Sequence, residues 1–378
     1  MTNARENIEK MRERGMPVIG CFPLYPPLEL FHSMGLQAVV LWGLGDSVRS
    51  VHEADRHVQG YACSVARHLT QFVIADGQGL FDGLFFYNAC DTLRNLPEIL
   101  RDALEESGAR VPPAFRMHVP MVPADQTDSG PYLENEILSL VRSLEGAYGV
   151  EFSEERFAES VSLFRRLRGL YLRLEEAVAG GRVTLADFRD MATRANFMSA
   201  EAQVALLEEL TSSLPSEAAG DTQAPRVVLS GILPPPHAIC RVIDDAGLRV
   251  VGNDMASLYR SYARTPAEWT GVADYYRQFY AGHFPCTTLL YTADERPGAV
   301  GRLTADRQAD ALIFVGEKFC EYEYFELPYL ENMLKETGVP VLSVEVSIED
   351  DSTAETFRTR IDAFAEMLRE KVDGKSGQ

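Results

Sequence analysis

The sequence predicts an α/β protein built from two doubly wound parallel sheets with a helical segment between them. Short β-rich runs alternate with longer helical patterns near both ends of the chain, which is typical of parallel α/β architecture. Residues 131–218 contain no good strand run, and the strand signals that return at Arg226 follow the earlier order. These three observations divide the chain into 1–130, 131–220 and 221–378.

The first predicted unit alternates strands and helices. Residues 16–21 form an apolar strand, a Pro-rich loop follows, and residues 29–33 fit a helix that Gly35 ends. Residues 36–42 predict a second strand and 83–87 a third, after which 91–107 predict a helix. The unit therefore has the strand–loop–helix order of a doubly wound fold.

The middle segment is predicted to be helical because its apolar residues recur at helical spacing and Glu/Arg pairs stand four residues apart. Ser153 and Thr184 are predicted to start helices, and Gly180-Gly181 is a break. Residues 212–225 are rich in Ser, Pro, Gly and Ala and predict a linker. The four predicted helices cover residues 134–148, 153–179, 185–197 and 200–210.

The two ends of the chain share one plan, which suggests two Rossmann-like domains. Any two α/β domains also look alike at this level, so duplication and simple similarity both explain the pattern. The matching stretches are 18–27 with 228–236, 35–40 with 247–251, and 82–90 with 310–320.

Composition limits the partners. The chain has 378 residues, 46% hydrophobic and 24% charged, with a formal net charge of −20. A strongly acidic surface repels phosphate backbones, so nucleic acid is not expected as a partner. No run is long and apolar enough to span a bilayer, and residues 1–16 lack the apolar core of a signal peptide. We therefore expect a cytoplasmic protein with reduced thiols and no membrane partner.

Six cysteines are the candidate metal or redox ligands: Cys21, Cys63, Cys90, Cys240, Cys286 and Cys320. None forms a CxxC pair, which excludes a zinc ribbon and a sequential ferredoxin site. Cys90 and Cys320 each follow an apolar strand and open a helix. Ligands of open α/β sheets bind beyond the carboxyl ends of the strands, and a helix N-terminus favours the thiolate that binds iron.

Pattern alone does not choose among the six. Cys63 lies on a predicted helix near the switch region of the first sheet, where it could add a third ligand. Free cysteine is nevertheless among the most often buried residue types, so each of the six is explained equally well as a core residue.

A resemblance to a known family narrows the choice. The sequence Gly-Glu-Lys-Phe-Cys-Glu-Tyr-Glu-Tyr-Phe-Glu-Leu-Pro-Tyr-Leu at residues 316–330 resembles the third-cysteine motif of the benzoyl-CoA reductase/2-hydroxyacyl-CoA dehydratase family. Cys63 together with Asn-Ala-Cys-Asp-Thr-Leu-Arg-Asn at 88–95 looks like the family's first two cysteines. Residues 18–27, 338–345 and 357–368 also resemble the family, and the likeness is weakest in the middle helices.

The resemblance implies one [4Fe–4S] cluster held by Cys63, Cys90 and Cys320, with the fourth iron position open. It implies a homologous cluster-binding partner subunit, a separate ATP-hydrolysing iron–sulfur activator and an acyl-CoA substrate. The chain itself shows no phosphate-binding loop. Gly374-Lys375-Ser376 lacks the upstream glycine, and Gly43-Leu44-Gly45 lacks the third glycine of a dinucleotide fingerprint.

Three functions follow from the resemblance. The Lys-Phe-Cys-Glu-Tyr-Glu-Tyr-Phe-Glu stretch looks most like the smaller cluster-binding subunit of ATP-dependent benzoyl-CoA reductase, which reduces an aromatic acyl-CoA to a cyclic dienoyl-CoA by single electrons at low potential. The first alternative is a subunit of a 2-hydroxyacyl-CoA dehydratase, which eliminates water through a ketyl radical. The second is a non-catalytic iron–sulfur electron-transfer protein on the same fold.

Other polar residues near the motifs are weaker candidates. Glu317, Lys318 and His237 are candidate catalytic groups, although surface charge explains the first two and helix capping explains the third equally well. Neither the HExxH spacing of a zinc site nor the GxSxG elbow of a hydrolase occurs. Further candidates are Glu321 and Tyr322 as supporting or acid–base groups beside Cys320, Asn253 and Asp254 near the cleft, and Arg67, Arg94 and Lys318 as partners for CoA phosphates.

Overall fold

The computed structural model describes residues 4–22, 24–42, 44, 47–124, 126–215, 223–289, 291–292, 295–347 and 354–376. Gly43 and Gly45 of the weak dinucleotide motif lie outside these residues, as do residues 216–222 of the predicted 212–225 linker, in which Ser212 ends a helix. No helix of the described residues is both long and apolar enough to cross a bilayer.

The first sheet has four parallel strands, and their order is β2-β1-β3-β4. All five residues of β3 are buried, as expected for a parallel strand that is covered on both faces. The elements of this part are α1 (Ala4–Arg12), β1 (Val18–Phe22), α2 (Leu28–Ser33), β2 (Gln37–Val40), α3 (Ser64–Gln71), β3 (Gly83–Tyr87), α4 (Asp91–Glu106) and β4 (Ala114–Met117), with a 3₁₀ turn at Ala54–Arg56 and a π-helical turn at Phe72–Asp76.

Four helices follow, namely α5 (Ser129–Tyr148), α6 (Glu154–Ala179), α7 (Leu185–Asn196) and α8 (Ala200–Ser212). The side chains of Ser153 and Thr184 accept hydrogen bonds from backbone N–H groups three residues on, which is the capping predicted from their positions. Helix α5 begins earlier than predicted, because Pro131 lies in its first turn, where a proline costs no helical hydrogen bond.

The second sheet repeats the first. Its strands run parallel in the order β6-β5-β7-β8. The elements are β5 (Arg226–Gly231), α9 (His237–Asp245), β6 (Arg249–Met255), α10 (Tyr259–Tyr262), α11 (Val272–Ala281), α12 (Arg296–Asp306), β7 (Ala311–Glu317), α13 (Glu321–Tyr324), α14 (Leu327–Glu336), β8 (Val341–Val346) and α15 (Ala354–Ser376).

The fold class predicted from the sequence is confirmed: both sheets are parallel, four-stranded and surrounded by helices. Their common order is what an internal duplication predicts. Helix α6 packs against α2 and β6, and one hydrophobic core runs through both sheets. The boundaries at residues 130 and 220 therefore stay a prediction.

This topology fixes where a site belongs. In a sheet of order 2-1-3-4 the chain leaves β1 and β3 in opposite directions, which opens a crevice at the carboxyl ends of these two strands. In the second sheet β5 and β7 are the corresponding strands. Cys90 follows β3 and Cys320 follows β7. Both cysteines therefore lie at the crevice of their own sheet.

Candidate metal centre

Three cysteines from both halves of the chain line one cavity of about 70 Å³, the cysteine cavity. Cys63 precedes α3, Cys90 precedes α4, and Cys320 precedes α13, so each of the three is the residue at which a helix starts. The structure thus brings together the three residues that the family resemblance selected.

Local geometry holds Cys90 in place. The amide of Asn88 bonds the backbone of Val119 twice, donating to its carbonyl oxygen at 2.9 Å and accepting from its N–H at 2.8 Å. This bridge ties the loop after β3 to the segment after β4. The Cys90 sulfur then accepts a weak hydrogen bond from the Leu93 N–H at 3.5 Å.

A tight turn positions the third cysteine. Phe319 has φ of 65°, in the left-handed region that a residue with a side chain rarely adopts. The Cys320 N–H donates to the Glu317 carbonyl oxygen at 2.9 Å, which closes the turn directly after β7. The residue directly before Cys320 therefore has a strained backbone, and strained residues of this kind cluster at functional sites.

The walls of the cysteine cavity are mainly apolar, and no Lys or Arg is among the described residues that line them. Burial raises the pKa of the Cys63 thiol to about 12, and it also raises the pKa values of Cys90 and Cys320. Glu317 and then Cys90 add to the rise at Cys63, and Glu323 and then the other two cysteines add to the rise at Cys320. Three thiols this close therefore stay protonated at neutral pH unless a cation neutralises them.

Two buried carboxyl groups adjoin the cysteines. Glu317 lines the cavity and accepts a hydrogen bond from the hydroxyl of Ser64, which lies in the other half of the chain. Glu323 accepts a hydrogen bond from the Glu317 N–H at 3.1 Å, and burial raises the pKa of Glu323 to about 7. The Ser64–Glu317 contact joins the two halves beside Cys63.

The remaining sequence candidates are placed elsewhere. Lys318 is exposed and lies over the Phe319 ring, and the Nδ1 of His237 is 2.9 Å from an Asp190 carboxylate oxygen. Neither lines the cysteine cavity. Glu321 is exposed, whereas Tyr322 lines the cavity wall.

The arginines proposed for CoA phosphates are paired on the surface. Arg67 makes two hydrogen bonds of 2.8 Å to Asp55, and Arg94 lies 3.4 Å from Asp91. Asp254, expected near the cleft, is fully buried between Arg260 and Arg296.

The other three cysteines lie in the core. Cys21 is buried within β1, and Cys240 is buried in α9, where its sulfur is 3.3 Å from the Pro235 carbonyl oxygen. The buried sulfur of Cys286 contacts the Tyr25 hydroxyl at 3.1 Å and Arg260 at 3.0 Å. None of the three lines the cysteine cavity.

The donor set suits iron and sulfide. Within the described ranges, no group of three or more His, Cys, Asp or Glu side chains is arranged to hold a single metal ion. A four-iron cluster keeps its cysteine sulfurs farther apart than one ion does. Soft thiolate donors select such clusters, and the positive iron core would supply the missing cation. Cys63, Cys90 and Cys320 are the donors that would hold a [4Fe–4S] group at this cavity.

Sequence reasoning missed the Ser64–Glu317 contact and the wall residues Leu24 and Trp42. The Ser64 hydroxyl and the Glu317 carboxyl are 253 positions apart in the chain. The only sequence signal for either residue is its closeness to a cysteine motif, which does not reveal a partner.

Comparisons with known proteins identify relatives over nearly the whole chain. Residues 23–368 match the family model described as 2-hydroxyglutaryl-CoA dehydratase, D-component. The beta subunit of (R)-2-hydroxyglutaryl-CoA dehydratase from Acidaminococcus fermentans is 26% identical over 376 residues, covering 96% of this chain and 95% of the relative.

Two further relatives show how widely the reactions vary. The (R)-phenyllactyl-CoA dehydratase beta subunit of Clostridium sporogenes is 22% identical over 97% of this chain and 96% of its own length. A benzoyl-CoA reductase subunit from Thauera aromatica is 22% identical over 93% of this chain and 91% of its own. The family resemblance is confirmed: this chain belongs to the 2-hydroxyglutaryl-CoA dehydratase D-component family, which includes subunits of acyl-CoA dehydratases and of benzoyl-CoA reductase.

Proposed function

We propose that this chain binds one [4Fe–4S] cluster through Cys63, Cys90 and Cys320 and transfers electrons as a subunit of a CoA-ester-processing enzyme. The observation that carries the proposal is the meeting of these three thiols in one cavity between the two sheets. A bound cluster of this kind supplies single electrons at low potential.

The chain's own residues give the cavity its properties. Leu24, Trp42 and Ile232 belong to an apolar wall that excludes water, and the Ser64–Glu317 hydrogen bond holds the halves together beside it. At about 70 Å³ the cavity is far smaller than the roughly 300–1,000 Å³ of ordinary ligand pockets. A CoA ester therefore reacts outside it.

A homologous cluster-binding subunit is the partner we propose for that reaction, since the matched relatives are named as single subunits of dehydratases and a reductase. An ATP-hydrolysing iron–sulfur activator would provide the electrons, because the sequence has no phosphate-binding loop of its own.

The first candidate reaction is ATP-dependent reduction of an aromatic acyl-CoA. The segment Lys-Phe-Cys-Glu-Tyr-Glu-Tyr-Phe-Glu at 318–326 favours it through its likeness to benzoyl-CoA reductase subunits. The second candidate is elimination of water from a 2-hydroxyacyl-CoA. The 26% identity to a dehydratase beta subunit, against 22% to the reductase subunit, favours this reaction.

Iron and sulfide analysis of the anaerobically purified chain tests the cluster. We expect about four irons per chain, and we expect replacement of Cys63, Cys90 or Cys320 by Ala to lower the iron content and change the electron paramagnetic resonance signal of the reduced protein. Cys240→Ala is the matched control, because Cys240 is buried in α9 away from the cavity. Colourless wild-type protein would refute the proposal, and eight irons would favour a larger electron-transfer cluster.

Reductant use by the complete complex separates the two reactions. A reductase consumes two electrons for each benzoyl-CoA that is reduced to the dienoyl product. A dehydratase turns over a 2-hydroxyacyl-CoA many times after a single reductive activation. Turnover of neither substrate by a complex of known iron content would leave the electron-transfer protein as the remaining function.

A further inference from the structure

Four exposed aromatic side chains stand beside the cysteine cavity, and together they form what we call the aromatic rim: Tyr61, Phe319, Phe325 and Tyr329. Their exposed fractions are 72%, 47%, 80% and 65% in that order. Tyr61 is two residues before Cys63 and Phe319 directly precedes Cys320, so both lie within about 7 Å of a cavity cysteine along the backbone. Grouped exposed apolar side chains mark interaction sites, whereas single ones are ordinary.

The other two rings share one face of the segment that follows Cys320. The Phe325 N–H donates to the Glu321 carbonyl oxygen at 2.9 Å, and the backbone keeps right-handed helical angles through Phe325 and Glu326. Residues four apart in such a segment are neighbours on its surface, so Phe325 and Tyr329 present their rings together. At 1.5 Å per residue, Phe325 lies about 7.5 Å from Cys320 along the helical axis.

The area of the aromatic rim corresponds to a small interface. A Phe or Tyr side chain has about 150–250 Å² to bury, so the four exposed fractions amount to roughly 400–650 Å². Weak complexes of redox proteins bury less than about 1,200 Å² over both partners, whereas permanent interfaces bury about 2,000–5,000 Å². A matching area on each of two partners therefore gives a complex of the weak redox class.

The charges around the aromatic rim cancel. In the segments 59–64, 88–95 and 317–325, the exposed charged residues are two acidic and two basic ones: Asp91, Glu321, Arg94 and Lys318. Arg94 lies 3.4 Å from Asp91, and Lys318 lies over the Phe319 ring. The chain as a whole carries a formal charge of −20, so this locally neutral face lowers the repulsion that an acidic partner would meet elsewhere.

The aromatic rim also gives a short route from the surface to the sulfurs. Phe319 is about half exposed and is bonded directly to Cys320, which lines the cysteine cavity. The cavity itself, at about 70 Å³, is too small for an organic cofactor. A protein bound at the rim can therefore exchange electrons with this site but cannot pass a bulky ligand into it.

We propose that the aromatic rim is the docking face of a protein electron donor, which binds transiently and passes single electrons towards the three cysteines. In each step one electron leaves the reduced centre of the donor and enters the group that the cysteines hold, and no bond forms or breaks. The identification of the donor as the ATP-hydrolysing activator rests on the proposed function. This chain, and not its homologous subunit, is then the point at which electrons enter the enzyme.

Binding of the activator to the full chain tests the docking face, with biolayer interferometry as the measurement. The variant carries Phe325→Ser and Tyr329→Ser, two exposed positions at which a smaller side chain should leave Tm unchanged. We expect Kd to rise at least about tenfold, because aromatic side chains dominate the binding energy of interfaces. Raising NaCl from about 0.05 to 0.5 M should change the wild-type Kd by less than about threefold, since a neutral face has little charge to screen.

Rates of reduction separate docking from the cluster. The double variant should accept electrons from the reduced activator about tenfold more slowly at activator concentrations below Kd. Titanium(III) citrate, a small reductant that needs no docking face, should reduce the variant and the wild type at the same rate. The two rates are measured on iron-loaded protein by stopped-flow absorbance.

Met367→Ser on α15 and Leu138→Ser on α5 are matched controls, because both side chains are exposed and apolar and lie outside the aromatic rim. Both variants should bind the activator as the wild type does. Equal Kd values for the double variant and the wild type, or a steep loss of binding with salt, would overturn the inference. Release of the homologous subunit from the double variant in gel filtration would overturn it too, since the rim would then be a permanent interface. Iron-free wild type would refute the proposed function, and activator binding to the full chain would still decide the docking face.

Discussion

Replacement of Asp254 by Ala should destabilise the second sheet strongly. Asp254 lies at the end of β6 and is fully buried, and one carboxylate oxygen is 3.1 Å from Arg260 and 3.0 Å from Arg296. Both arginine side chains are almost completely buried as well. The variant therefore leaves two buried guanidinium groups without the anion they share.

The size of the effect follows from this burial. Removal of one partner from a buried ion pair costs about 3–5 kcal/mol. Arg260 keeps its contact with the Gly231 carbonyl oxygen, and Arg296 keeps the Ser230 hydroxyl and its ion pair with Glu326, which limits the loss to this range. An unfolding entropy of about 2.1 cal/mol/K per residue gives about 0.8 kcal/mol/K for 378 residues. The expected fall in Tm is therefore about 4–6 °C.

Differential scanning calorimetry of wild type and D254A measures this fall. Asp102→Asn is the control, because Asp102 contacts Arg101 on the surface with more than half of each side chain exposed, and Tm should not change. A D254A protein with the wild-type Tm would show that the charged cluster contributes nothing and would refute the reasoning.

Two further perturbations follow from the same structure. Burial raises the pKa of Glu175 to about 7, so the folded chain binds more protons than the unfolded chain between about pH 4.5 and 7, and the free energy of unfolding falls as pH rises through that window. Urea titrations at pH 5 and pH 8 measure the difference in the free energy of unfolding between the two pH values. Glu175→Gln should reduce this difference by about 3 kcal/mol, whereas replacement of the exposed Glu176 by Gln should leave it unchanged. Gly231→Ala should lower Tm by several degrees, because the new Cβ would lie 2.4 Å from the Val315 carbonyl oxygen. Gly60→Ala, with open space around its Cβ, should not change Tm, and a G231A protein as stable as G60A would contradict the structure.

The sequence predicted the sheets well where local pattern decides the structure. The run Gly-Leu-Phe-Phe-Tyr is strongly apolar and stands directly before a helix-starting residue, so β3 and the position of Cys90 were predictable. The start of α5 was predicted too late. Gly130-Pro131 was interpreted as a break before the helix, but a proline is also allowed in the first turn of a helix, and that is where Pro131 lies.

Contacts between residues that are far apart in the chain could not be predicted from the sequence. Asp254 was expected at the cleft from its position after a strand, and it is buried instead because Arg296, 42 positions later, folds back onto it. No spacing rule connects such residues. The choice of Cys63, Cys90 and Cys320 likewise came from family likeness, since pattern alone treats six cysteines equally.

The three cysteines of the cavity lie far apart in the chain, and this separation has a consequence for synthesis. Cys63 and Cys90 leave the ribosome early, but Cys320 and the strand before it follow only after all four middle helices and two strands of the second sheet. A nascent chain therefore carries two of the three sulfurs with no closed cavity around them. The site can be completed only after β7 has been synthesised and inserts beside β5.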